Sequence, residues 1–281
     1  MPCDYECLAA DNVFVTDVVT FFHHTSLRHQ SKAMGPTAMF RRKPVRMKIL
    51  LIADIHSNWP ALQAIHESFD VCLFLGDAVD YAADPVPVLE WLQRNATHSV
   101  RGNHDHSVAQ RVALTPGGMF RRIAAGLRPH HYEVLSDNHL TWLAQLPVTQ
   151  HLTIGDHSFL LVHASPRDPM DEYVVPTAEA WQCRLRHVDV DFVCAGHTHV
   201  PMCLELEGTK VINPGSVGQP RDGDCRASYA VIEDGEVTFH RVEYDIEATI
   251  EHMRQSGIDQ QIVLQTETVL KAGGNPYRKG Q

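Results

Sequence analysis

Five short apolar runs in this chain end alike, with aspartate, asparagine or histidine just past the last apolar side chain. Residues 49–53 lead into Asp54 and His56, and residues 71–75 into Gly76 and Asp77. Residues 98–101 lead into Gly102-Asn103-His104-Asp105, 159–162 into His163, and 192–195 into Gly196-His197-Thr198-His199. Short continuous apolar runs read as strands buried on both faces, the pattern of a sheet covered by layers on each side. Strand ends of an open α/β sheet converge on one rim, and sites form on such rims. The chain must therefore fold so that these ends meet.

The rest of the pattern agrees with that demand. After the run at 48–53, a proline in the first turn predicts a helix over 60–68. A strand at 71–75, an amphipathic helix at 87–95 and a short strand at 98–100 follow. Residues 107–147 read as a mostly helical insertion with a break at 115–118 and a capped helix starting near Asp137. Seven more strands are expected at 151–154, 158–163, 192–195, 201–205, 210–213, 228–233 and 236–242, the last two joined by an Asp234-Gly235 hairpin turn. A final helix is expected over 245–257, ending at Gly257. Alternation first and a strand-rich second half predict an α/β fold (α+β in some schemes): two mixed sheets packed as a sandwich, flanked by helices, with a helical cap insertion.

Three segments follow from this reading. Residues 1–46 show no period and end in the basic cluster Arg41-Arg42-Lys43-Pro44-Val45-Arg46, so they read as an extension outside the core. Met47 opens the first strand as a start methionine would, and the domain is expected to run from 47 to 257. Residues 258–281 read as a C-terminal tail, with Gly273-Gly274-Asn275-Pro276 near its end.

Composition narrows the partners. A hydrophobic fraction of 44% with 21% charged residues suits a globular domain with a real core. The net charge of -10 gives no long-range attraction for long nucleic acid or an anionic membrane, so affinity for phosphate must be built locally. Bound metal ions can supply that charge. No apolar run reaches the ~18 residues a membrane span needs. The stretch at 13–22 is short, holds Asp17 and follows acidic residues, so it is a poor signal peptide. Seven cysteines without a close CxxC pair indicate neither a disulfide framework nor a zinc knuckle, which fits a reducing cytoplasm.

Taken singly, each polar segment is weak, because a histidine after a strand is more often a hydrogen-bonded structural residue than a ligand. Five on one rim are different, since that many buried polar groups without partners would be expensive. Carboxylate, carboxamide and imidazole donors without thiolate suit manganese, iron, zinc or nickel in open coordination.

The segments Asp54-x-His56, Gly76-Asp77-x-x-Asp80, Gly102-Asn103-His104-Asp105, the lone His163 and Gly196-His197-Thr198-His199 together resemble the calcineurin-like metallophosphoesterases, over residues 47 to about 257. Leu161 to Arg167 and Asn213 to Arg221 resemble that superfamily's small prokaryotic branch, which includes phosphodiesterases and enzymes related to diadenosine tetraphosphatases. The resemblance implies two divalent ions, manganese first among the candidates. Asp54, His56 and His199 would hold one, Asn103, His163 and His197 the other, and Asp77 would bridge them. Two ions ~3.5–4 Å apart activate water and clamp the attacking and leaving oxygens. His104, oriented by Asp80, would protonate the leaving group, and Asp105 would support the turn.

One position departs from the phosphoprotein phosphatases of that superfamily, which place a phosphate-gripping arginine after the second aspartate of G-D-x-x-D. Here Tyr81 stands there. Asn58 and Arg221, in loops near the rim, are candidate substitutes for substrate binding, and the insertion could bring Arg128, His130 or His131 to the substrate or simply wrap the core. The expected activity is hydrolysis of phosphodiester or nucleotide phosphoanhydride bonds by metal-activated water, on a small phosphorylated substrate. Phosphomonoesterase or protein phosphatase activity, and a non-catalytic scaffold on the same fold, are the alternatives. The scaffold predicts lost ligands, and none is replaced.

Overall fold

In the computed structural model, residues 47–114 and 117–275 are described. The expectations for residues 1–46, for the break at 115–116 and for the end of the tail at 276–281 lie outside them. In chain order the elements are β1 (Lys48–Ile52), α1 (Trp59–Gln63), β2 (Val71–Phe74), α2 (Pro85–Asn95), β3 (His98–Ser99), α3 (Asn103–Ala109), α4 (Met119–Val134), α5 (Asp137–Gln145), β4 (Thr149–Ile154) and β5 (His157–Val162). They continue with α6 (Ala178–Gln182), β6 (Phe192–Cys194), β7 (Met202–Leu206), β8 (Thr209–Asn213), β9 (Ala227–Glu233), β10 (Glu236–Val242), α7 (Ile246–Gln255) and α8 (Gln260–Ala272).

The strands form two five-stranded mixed sheets, ordered β10-β9-β1-β2-β3 and β4-β5-β6-β8-β7. In the first, β1, β2 and β3 run parallel; in the second, β5, β6 and β8 do. The carboxyl ends of six parallel strands therefore deliver the loops that carry the polar motifs.

Burial explains the sandwich. Ile49, Leu51, Leu73, Leu75 and Ile232 from one sheet pack on Phe159, Leu161, Phe192, Cys194 and Ile212 from the other. The opposite face of the first sheet, with Leu50, Ile52, Phe74 and Val231, takes Leu62, Val88, Leu89, Leu92 and Leu143 from α1, α2 and α5. The outer face of the second sheet packs Leu160, Val162, Val193 and Val211 against Trp181 of α6. Central strands buried on both faces must read as unbroken apolar runs. The edge strand β4 alternates exposed and half-buried residues along most of its length.

Two expectations need correction. The helix foreseen at 60–68 stops at Gln63, because the chain must straighten to enter β2: Asp70 N donates to Lys48 O at 2.9 Å and its carboxylate accepts from Lys48 N at 2.8 Å. The predicted tail at 258–281 is not a tail through most of its length. Residues 260–272 form α8, capped by the Asp259 carboxylate at its start and by left-handed Gly273 at its end. Its Val263, Val269 and Leu270 pack with Ile123, Ala124 and Leu127 of α4 and Ile250 and Met253 of α7 in a core of their own.

Candidate metal centre

All seven ligand candidates meet at the rim. Asp54, His56 and His199 place one donor atom each within 4.8 Å of one another, as do Asp77, His163 and His197, and all six are buried. Asn103, the first residue of α3, puts Oδ1 3.2 Å from His163 Nε2. The backbone there is tightly folded: Asp54, His56, Asp77, His197 and His199 all have positive φ, between 52° and 66°. Side-chain-bearing residues resist that region by about 1–2 kcal/mol each. Gly76 and Gly102 let the β2 and β3 loops touch, since a Cβ on Gly76 would lie 2.6 Å from Gly102 N and 2.8 Å from His163 Nδ1.

Backbone carbonyls set the imidazole tautomers. His56 Nδ1 donates to Val79 O at 2.8 Å, His163 Nδ1 to Leu75 O at 2.8 Å and His199 Nδ1 to Gln219 O at 2.6 Å. A carbonyl only accepts, so each ring turns its Nε2 lone pair to the cluster. His197 is reversed: Nε2 faces Asp171 O at 3.2 Å and Nδ1 lies 3.2 Å from His163 Nε2.

These donors fit a cation. His56 Nε2 and His199 Nε2, both lone-pair faces, lie 3.2 Å apart. Asp54 Oδ1 is 3.4 Å from His199 Nε2 and 3.9 Å from His56 Nε2. It is buried and has no hydrogen-bond partner, while Oδ2 accepts from His197 N at 3.0 Å. A positive ion reconciles three acceptors aimed at one point. Burial, reinforced by His104 at one and His163 at the other, lowers His56 and His197 to about 3, and burial with Arg221 and His56 holds His199 well below its ordinary value, so these rings are neutral ligands. Burial raises Asp54 to about 7. At His163 burial disfavours the cation, but the charge and hydrogen bond of Asp77 outweigh it and raise the ring to about 10. Asp77 is correspondingly held well below the usual range, its burial overridden by His163, His104 and His56. A divalent ion bound there takes the proton's place.

The neighbouring carboxylates divide their roles. Asp105 accepts from Asp77 N at 2.8 Å, Ala78 N at 2.8 Å and Gly102 N at 3.0 Å, which makes it the brace between two ligand loops. Asp80 Oδ2 accepts from His104 Nδ1 at 2.7 Å. Burial works against the His104 cation, yet the charges of Asp77 and Asp80 and that hydrogen bond raise its pKa.

Asn58 is a correction. It is fully buried, caps α1 through Ala61 N, donates to Gly218 O and Tyr244 OH, and accepts from Thr249 Oγ1, so no atom of its amide is left for substrate. The insertion does not present its polar residues to the substrate either. Arg128 is buried with Nη2 3.0 Å from Asp80 Oδ2, His131 Nε2 donates to Ala82 O at 2.9 Å, and His130 Nε2 to Ala83 O at 2.9 Å. The Arg128–Asp80 pair spans 48 residues, and no local motif announces it. Arg221 does stand at the rim.

Residues 47–235 match the model of the calcineurin-like phosphoesterase superfamily domain. The chain belongs to the calcineurin-like phosphoesterase superfamily. A crystal structure of a metallophosphoesterase from Sphaerobacter thermophilus is 35% identical to this phosphoesterase-family chain, with a TM-score of 0.67 over 81% of it and 99% of that chain. A hypothetical protein from Pyrococcus horikoshii, 21% identical with a TM-score of 0.71, covering 81% of this chain and 98% of its own, shares the fold. An uncharacterised protein of Methanocaldococcus jannaschii is 32% identical over 235 residues, 74% of this chain and 92% of the relative. The family is metal-dependent, and the two buried donor groups are where this phosphoesterase-fold chain would hold its ions. Among the described residues no helix is long and apolar enough to cross a membrane.

Proposed function

We propose that the chain is a dinuclear phosphoesterase that hydrolyses phosphodiester or nucleotide phosphoanhydride bonds in small substrates, with manganese the first candidate ion. One observation carries this reading. A single oxygen, Asp77 Oδ2, lies 3.2 Å from His163 Nε2 and 3.8 Å from His56 Nε2, so one carboxylate faces both donor groups. Asp54, His56 and His199 would hold one ion and Asn103, His163 and His197 the other, with Asp77 between. When bound, such a pair supplies a nucleophilic water at neutral pH and neutralises charge on the phosphoryl group.

The chain's own residues supply the rest. His104 is less buried than the histidine and aspartate ligands, with a side chain 14% exposed, and its Nδ1 is held by Asp80. That leaves Nε2 to carry a proton to the leaving oxygen, and the raised pKa favours the protonated ring. Tyr81 packs on both rings, its centroid 4.6 Å from His56 and 4.9 Å from His104. Tyr81 stands where phosphoprotein phosphatases of the superfamily carry an arginine, and that difference supports diester and anhydride substrates over phosphoproteins.

Manganese-loaded protein tests the reading against bis-p-nitrophenyl phosphate, p-nitrophenyl phosphate, a cyclic nucleotide and a dinucleoside polyphosphate. Diester or anhydride hydrolysis that falls ~10²–10⁴-fold in His104→Ala is expected. Two bound ions with no hydrolysis of any of these would favour a scaffold, and full activity in Asp77→Asn would refute the site.

A further inference from the structure

Arg221 is a cation beside a centre built for cations, and the described residues give it no counter-ion. Its guanidinium lies over the ring of Phe120 at 4.2 Å and 5.7 Å from the Tyr81 centroid. Nε and Nη2 both donate to the neutral Gln219 Oε1, at 3.2 and 2.8 Å. The nearest carboxylates in sequence are committed elsewhere, Asp222 to Arg241 and Asp224 to Arg226. Among the described residues no acidic side chain pairs with Arg221.

The guanidinium is nonetheless tied to the metal centre. Arg221 N donates to His199 O at 3.3 Å, and Gln219 O holds His199 Nδ1. Holding a positive group there, unpaired, is unfavourable in the free protein and favourable once an anion arrives.

The geometry points to Arg221 as the residue that grips a phosphoryl group of the substrate, in place of the arginine that Tyr81 displaces. This rests on the phosphoesterase reading. Two elements hold it ready. The insertion contributes Phe120, whose face carries the guanidinium. The end of α8 braces the loop from behind: Gly223 N donates to Gly273 O at 2.9 Å, and a Cβ on Gly274 would come within 2.9 Å of Arg221 Cα. The family-model match ends at residue 235, so α8 positions the residue from beyond the matched segment.

The test uses full-length protein loaded with manganese, and Arg221→Gln, Arg221→Lys and Gly274→Val. Calorimetric titration reads manganese stoichiometry and the affinity for inorganic phosphate; kinetics on a diester read KM and kcat. Arg221→Gln is expected to keep two ions and wild-type melting, and to bind phosphate about 10- to 100-fold more weakly, with a matching rise in KM. Arg221→Lys should recover part of the affinity, and Gly274→Val should lose part of it with the ions retained. Unchanged phosphate affinity in Arg221→Gln overturns the proposal. So does loss of the ions or of the fold in Arg221→Gln, which would make Arg221 a structural prop. If the wild type hydrolyses no phosphoester but Arg221→Gln still weakens phosphate binding, the functional reading fails and the anion site stands.

Discussion

Asp80→Asn separates two jobs that one carboxylate performs. Asp80 is fully buried and Arg128 nearly so. The guanidinium meets the carboxylate through Nη2 at 3.0 Å and through Nε at 3.3 and 3.2 Å, while His104 Nδ1 takes Oδ2 at 2.7 Å. The amide preserves shape but leaves Arg128 a buried cation without a counter-ion, which costs about 3–5 kcal/mol. For a domain of this size that lowers the melting temperature by about 6–20 °C. His104 also loses a charge that raises its pKa, so its acid form is lost at lower pH and the basic limb of kcat/KM moves down the pH scale. Adding Arg128→Met removes the stranded cation. Calorimetry should then show most of the stability restored, while steady-state kinetics stay impaired. A double mutant that melts no higher than Asp80→Asn refutes the ion-pair argument. A double mutant with wild-type turnover refutes the assignment of Asp80 to His104.

Asp105→Asn turns an amide nitrogen toward a backbone N–H that the carboxylate accepts, and titration should show metal affinity about 10- to 100-fold weaker through the displaced Asp77 loop. Leu270→Ala, at a residue 3% exposed, should cost about 2–5 kcal/mol, read from urea midpoints; a neutral result would mean α8 is not part of the folded domain. At Glu172 burial opposes ionisation, but hydrogen bonds from Arg184 and Ser165 and the charges of Arg184 and Arg167 lower the pKa. That stabilisation is complete above the ordinary glutamate value of about 4.3 and disappears as pH falls through the depressed one. Glu172→Gln should therefore melt about 2–4 °C below wild type at pH 7, with the gap closing in acid; a constant gap would deny the linkage.

Much of the centre could be read from the sequence because each ligand sits within five residues of the end of a strand, where local pattern and final position coincide. Asp54, His56, Asp77, His163, His197 and His199 all converge as their strand ends demand. Asn58 misled because its partners are distant: Thr249, whose hydroxyl it accepts, is 191 residues away. The Arg128–Asp80 pair was hidden for the same reason. α8 had signals, an aspartate before it and a glycine after it, but Gly257 already supplied a plausible end to the last helix, and Thr266 interrupts the apolar stripe. Local chemistry was legible; contacts between segments far apart in the chain were not.

The left-handed backbone at Asp54, His56, Asp77, His197 and His199 sets selection for folding against selection for activity. Glycine adopts those angles freely, so a library sorted for thermal stability alone should enrich glycine at these five positions and discard the ligands. A lineage that ceased to need catalysis would drift toward a sturdier and inert molecule.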